Sequence, residues 1–222
     1  EFGTVVVRKT AKASQVRIRV APDGTLRASM PVYAPLFLLK RLLKTSREEI
    51  RQMLANAQPD TTYVDGQAIG KSHTLIVREG AQFGVKRVRQ QLIATLPNTL
   101  SLNTPKVHAA LRKEIIAVLR LEAKKHLPRR LQYLAQQHGF MYEKVRFSHA
   151  SSRWGSCSST GTISLNIALM KLPFELIDYV LIHELAHTVE MNHSERFWRL
   201  VAEGDPSYKL HRKALKTETP SI

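Results

Sequence analysis

Val180-Leu181-Ile182-His183-Glu184-Leu185-Ala186-His187 sets two histidines four residues apart inside an apolar run. On an α-helix, residues four apart stand nearly one above the other, so both imidazoles can reach one metal ion at about 2.0–2.1 Å. Glu184 turns to the side of that pair. There it cannot easily share the ion, but it can take the proton of a water that the ion activates. An HExxH match arises by chance in roughly one such sequence in fifty, so spacing alone is only suggestive. The apolar flanks add weight, because they bury the helix and two buried histidines need partners. A hydrogen-bonded pair of core histidines is the plain alternative. The residues point to a metal-dependent hydrolase with His183 and His187 as ligands and Glu184 as the base.

A catalytic site of this type needs a third protein ligand and one open position. His193 lies ten residues after His183. On an unbroken helix it would sit roughly 9 Å beyond His187 along the axis, so the helix must end first. Met191-Asn192 is the expected exit, since Asn tolerates the left-handed conformation that reverses a chain. Metzincins use the same spacing with glycine at the bend, where this chain has Glu190. Glu190, Glu195 and Glu203 stand as alternative third ligands.

Working outward, Pro173 opens the helix that carries the motif, expected over 174–190. A further helix should follow His193, with Ser194 at its N-cap. Upstream, 145–149 and 162–169 read as strands joined by a loop over 151–161. Before them, apolar residues recur at helical spacing over 106–138. Pro128 should kink or split that stretch, and Gly139 should stop it. The stretch holds eight Lys/Arg against two Glu, which makes either a solvated face or an anion-binding one.

The first hundred residues read mostly as strands: 5–7, 15–20, 25–30, 73–78, 83–88 and 91–96. Asp23-Gly24 signals a tight hairpin. One amphipathic helix runs from Pro35 to about residue 57, with a possible break at Thr45-Ser46. Breakers around Pro97 and Pro105 place the domain boundary near residue 104. The expected fold class is α+β, with a β-rich N-terminal domain over 1–104 and a catalytic domain over 105–222.

Composition bounds the function. The 222 residues carry a formal charge of +16, which attracts polyanions such as nucleic acid, nucleotides or an acidic surface. No aromatic RNA-binding signature, zinc-finger spacing or phosphate-loop glycine pattern accompanies it. No apolar run approaches the roughly 20 residues of a membrane span. The stretch from Glu1-Phe2-Gly3-Thr4 onward does not read as a secretory signal, and none is expected. Cys157 is the single cysteine, so no intrachain disulfide can form and a cytoplasmic setting is expected.

Several stretches together resemble one known family. They are Arg153-Trp154-Gly155-Ser156-Cys157, Ile163-Ser164-Leu165-Asn166, Asp178-Tyr179 leading into the HExxH run, Asn192-His193-Ser194, and Phe197-Trp198. In order and spacing they are similar to the YgjP-like metallopeptidases, akin to the SprT and WLM zinc proteases. Shorter pieces in the N-terminal half, Val20-Ala21-Pro22-Asp23-Gly24 and Tyr63-Val64-Asp65-Gly66, fit as well. The resemblance implies a zincin-like core, zinc as cofactor and His193 as third ligand. It also implies an edge strand before the active helix that holds an extended peptide, by position 162–169. Cobalt, nickel or manganese could replace zinc at such a site.

Arg153 and Asn166 are the expected substrate-binding residues, although Arg153 could instead pair with Asp178. Cys157 reads as a buried small hydrophobe rather than an inhibitory thiolate. Phe197, Trp198 and Tyr179 read as packing. Three functions compete. The first is a zinc peptidase acting on polypeptide. The second is a nucleoside-triphosphate (UTP-type) pyrophosphatase using the same metal, an activity also given to the YgjP-like group. The third is a basic nucleic-acid-binding module with a non-catalytic zinc.

Overall fold

In the computed structural model, residues 5–20, 26–56 and 62–222 are described. The chain forms two compact units, Glu1–Thr62 and Tyr63–Ile222. In the first unit, β1 (Val5–Lys9), β2 (Arg17–Val20) and β3 (Leu26–Met30) form a sheet ordered β1-β3-β2. Leu26, Ala28 and Met30 alternate inward along the central strand, the pattern of a half-buried sheet. The expected Asp23-Gly24 turn lies outside the described residues. Pro35 precedes α1 (Leu36–Thr45), and Ser46 separates it from α2 (Arg47–Asn56). Thr45 Oγ1 donates to the carbonyls of Arg41 and Leu42, a back-bond that competes with the helix ladder where it stops.

The second unit begins with β4 (Ala68–Ile69), β5 (His73–Glu79), β6 (Gly84–Val88) and β7 (Gln91–Leu96), ordered β4-β5-β7-β6. The 34-residue helix α3 (Pro105–His138) follows. Then come β8 (Lys144–Ser148), β9 (Gly155–Cys157) and β10 (Thr162–Asn166), and a 3₁₀ turn over Ile167–Lys171. Helices α4 (Phe174–Ala186), α5 (Glu195–Gly204) and α6 (Tyr208–Leu215) complete the unit. Among the described residues, no helix is long and apolar enough to cross a membrane.

Three expectations change. The boundary falls at residue 62 rather than near 104. Leu75, Leu92 and Ala94 of the four-stranded sheet share one core with Val107, Leu111 and Leu119 of α3, so that sheet belongs with the helices. Pro128 does not divide α3, although it removes one ladder hydrogen bond. Leu127 and Leu131 on either side of it are fully buried, and packing keeps the helix continuous through it. Finally, the loop expected over 151–161 contains β9, and the strand expected over 162–169 turns into the 3₁₀ segment after Asn166.

A buried carboxylate ties the sheet to α3. Glu122 accepts hydrogen bonds from the Lys71 and Ser72 amides at 2.6 and 3.0 Å, from Ser72 Oγ at 2.7 Å and from His73 Nδ1 at 2.7 Å. Gly70, with φ +63°, lies against that carboxylate. A side chain there would meet both the left-handed backbone and Glu122.

Candidate metal centre

Helix α4 is apolar nearly all round, and Leu176, Ile177, Tyr179, Val180, Leu181 and Ile182 are all buried. It ends at Ala186, four residues before the end expected from the sequence. The chain leaves through hydrogen-bonded turns, Thr188 N to Leu185 O at 2.9 Å and Glu190 N to Ala186 O at 2.9 Å. Asn192 is not left-handed: Arg89 is the one non-glycine residue with positive φ among the described residues. An early stop therefore does the work that a bend glycine does elsewhere. Ser194 then caps α5 by accepting from Phe197 N at 3.3 Å, which leaves His193 on the return path.

This path brings His183, His187 and His193 together, with one ligand atom from each within 4.8 Å of the others. The Nε2 atoms of His183 and His193 are 3.2 Å apart. Two bonds of about 2.05 Å meeting at a tetrahedral angle would set them about 3.3 Å apart, so the spacing fits a zinc-sized ion. His187 Nδ1 donates to Glu190 O at 3.1 Å, which leaves Nε2 as the free lone pair. Among the described residues, no carboxylate joins the group, so Glu190, Glu195 and Glu203 stand outside it. Fully buried Phe197 stacks on His187 at 4.4 Å and meets His183 edge-on at 4.9 Å, which fixes both rings from beneath. Trp198 packs behind His193 at 5.7 Å.

Burial sets the protonation of the helix. It lowers His183 to about 3, with help from the neighbouring His187, His193 and Arg212. It also lowers His187. Neutral imidazoles are the form that binds a metal. Burial raises Glu184 to about 8, opposed by the charge of Arg153. His183 Nδ1 and Glu184 Oε2 are buried without a hydrogen-bond partner. Such orphaned polar atoms mark a helix arranged for something beyond its own stability.

The YgjP-like metallopeptidase domain model matches residues 14–218. The chain belongs to the YgjP-like metallopeptidase family. It is accordingly a metallopeptidase-class hydrolase, and its three-histidine group can hold a metal ion. A crystal structure of the metallopeptidase zymogen of Pyrococcus abyssi abylysin is similar at 30% identity, covering 40% of this chain and 91% of that one, with a TM-score of 0.38. No curated protein matches.

In this YgjP-like chain the cleft over the histidines has a volume of about 300 Å³, and β9 forms its wall through Gly155, Ser156 and Cys157. The sheet order is β8-β10-β9, so β10 is central and β9 is the edge beside the site. The strand expected at the edge is thus flanked on both sides, and its place is taken by residues from within the expected loop over 151–161. Gly155 inside so short a strand was the available signal, since a strand glycine often marks a close approach. Its Cα lies against Glu184: an added Cβ would come within 2.8 Å of the carboxylate carbon.

Asn166 is fully buried, and its side chain is spent on the backbone. Nδ2 donates to Ala150 O at 2.6 Å and to Arg153 O at 2.9 Å, while Oδ1 accepts from Ala168 N at 3.0 Å. It holds the loop that carries Arg153 and does not face a substrate. Arg153 is exposed, and the partner of Asp178 is Arg130, through two bonds of 2.8 and 2.7 Å. Cys157 is half-buried, and burial together with Glu184 pushes its thiol up, away from a thiolate. Tyr179 is buried one turn before His183, as expected of packing.

The Gly155 contact carries a prediction. Gly155→Ala should displace the Glu184 carboxylate and lower kcat/KM by about 10²-fold, with metal content unchanged. Steady-state kinetics beside elemental analysis checks this; full activity in the variant would show that the contact is slack.

Proposed function

We propose that this protein is a zinc peptidase in which His183, His187 and His193 hold the metal and Glu184 is the general base. The observation that carries the reading is the convergence of three imidazoles with a buried carboxylate on one cleft. Zinc held there supplies Lewis-acid polarisation of a carbonyl and acidifies water. The chain's own groups do the rest. Glu190 O fixes the His187 tautomer. Glu184, raised by burial, takes a proton at its carboxylate and passes it to the leaving amine. The β9 edge offers backbone groups to an extended substrate, which suits a polypeptide. Arg153, exposed and near enough for its charge to act on Glu184, would bind a substrate carboxylate or steady developing negative charge. The +16 charge draws acidic partners towards the molecule.

The test is to offer the zinc-loaded chain an unfolded protein and, separately, nucleoside triphosphates. Peptide cleavage is expected, with about one zinc per chain, and both should be lost in the His183→Ala/His187→Ala variant. Pyrophosphate release without peptide cleavage would overturn the peptidase reading. Tight, steeply salt-dependent nucleic-acid binding with no turnover of either substrate would favour a binding module instead.

A further inference from the structure

Between the second half of α3 and the start of α4 lies a cavity of about 340 Å³ that shares no lining residue with the metal centre. Its floor is apolar and buried: Leu127 and Met170 are each 1% exposed and Ile177 is 2% exposed. Its walls are aromatic and open to solvent, with Tyr133 at 52% and Phe174 at 62% exposure. Elsewhere in the same unit Tyr63, Tyr179, Phe140 and Phe197 are buried. Two rings left standing over a finished apolar floor add little to folding, but they shape a pocket.

Each wall ring backs a cation. The Arg130 guanidinium lies 4.9 Å from the Tyr133 ring centre and the Lys71 ammonium 4.4 Å from that of Phe174. Both cations are also tethered from behind. Arg130 is held by its two bonds to Asp178, and Lys71 donates to Leu172 O. Asp178 is the one acid in the lining, and Arg130 already matches its charge. Lys125 and Arg129 add two exposed cations at the rim. The cavity therefore combines an apolar floor, flat aromatic walls and an excess of positive charge carried by Lys125 and Arg129. That combination complements an anion with a flat apolar body. A volume at the low end of the range for small-molecule sites suits a compact ligand rather than a polypeptide segment.

We propose that this cavity is a second ligand site, for a nucleotide, with the base on the apolar floor between Phe174 and Tyr133 and the phosphate drawn to Lys125 and Arg129. The site is separate from the metal centre and stands whether or not the peptidase reading does.

Calorimetric titration of the zinc-loaded full chain tests it, using adenosine monophosphate as probe and adenosine and inorganic phosphate as its separated halves. Saturable binding of the monophosphate is expected, with each half at least about 10-fold weaker. Arg129→Glu and Phe174→Ala, both at exposed positions, should each weaken binding by about 10-fold or more with unchanged melting temperature. His193→Ala, in the metal cluster, should leave binding intact. Four results would overturn the proposal. They are no saturable binding up to millimolar probe, wild-type affinity in either cavity variant, loss of binding in His193→Ala, and phosphate alone binding as tightly as the nucleotide.

Discussion

Glu184→Gln is expected to lower kcat for peptide hydrolysis by about 10³-fold or more while zinc stays bound at the wild-type level. Glutamine keeps the shape of the side chain, so the close fit against Gly155 is preserved. The three imidazoles are untouched, and so is the bond from His187 to Glu190 O. What disappears is the ability to accept and return a proton. Equal loss of zinc and activity would mean that Glu184 supports the fold of the centre rather than the chemistry.

A second readout comes from pH. Burial raises Glu184 from the usual carboxylate range to about 8 in the metal-free chain. A raised pKa favours the folded state at low pH, and that contribution fades as pH climbs through the folded value. Metal-free wild type should therefore lose stability relative to metal-free Glu184→Gln between about pH 5 and pH 9. Thermal melts of the two proteins across that window check the sign; parallel curves would place the carboxylate in contact with water.

Glu122→Ala is expected to destabilise the protein by about 3–5 kcal/mol, seen as a lower urea midpoint with an unchanged slope. Glu122 is 2% exposed and accepts four hydrogen bonds from three consecutive residues, Lys71 and Ser72 of the β4–β5 turn and His73 at the start of β5. Alanine would take the acceptor away from two backbone amides and from the buried His73 ring at once. Burial by itself would raise this carboxyl. The bonds from the Lys71 amide, His73 and Ser72 outweigh it and hold Glu122 below its ordinary value. A depressed pKa stabilises the fold above the carboxylate range and stops doing so as pH falls through the folded value. The gap between wild type and variant should narrow in acid. A change under about 1 kcal/mol at neutral pH would show that water replaces the carboxylate at little cost.

The helix bearing the HExxH motif was legible in the sequence because its information is local. The spacing of His183, Glu184 and His187 fixes their relative directions once a helix forms, and the apolar flanks require one. Ser194 as N-cap and the break between α1 and α2 were legible for the same reason, since each is set by residues within one turn. Two neighbouring readings failed where a local signal met a distant partner. Pro128 marks a helix break in isolation, but the buried leucines on both sides hold α3 together. The prolines near residue 104 mark a connection, and only the shared core shows that both sides of it belong to one unit.

The amino-acid sequence by itself determined the chemistry on offer: two imidazoles and a carboxylate on one helix, a third histidine soon after, and a strongly basic surface. The tertiary structure decided how these groups meet. It brought His193 Nε2 to 3.2 Å from His183 through an early helix stop rather than a left-handed residue. It also put β9 rather than β10 at the edge of the cleft, and turned Asn166 from a substrate contact into the anchor of the Arg153 loop. Strand order and side-chain partners depend on segments brought together from far along the chain, and no spacing along one segment encodes them.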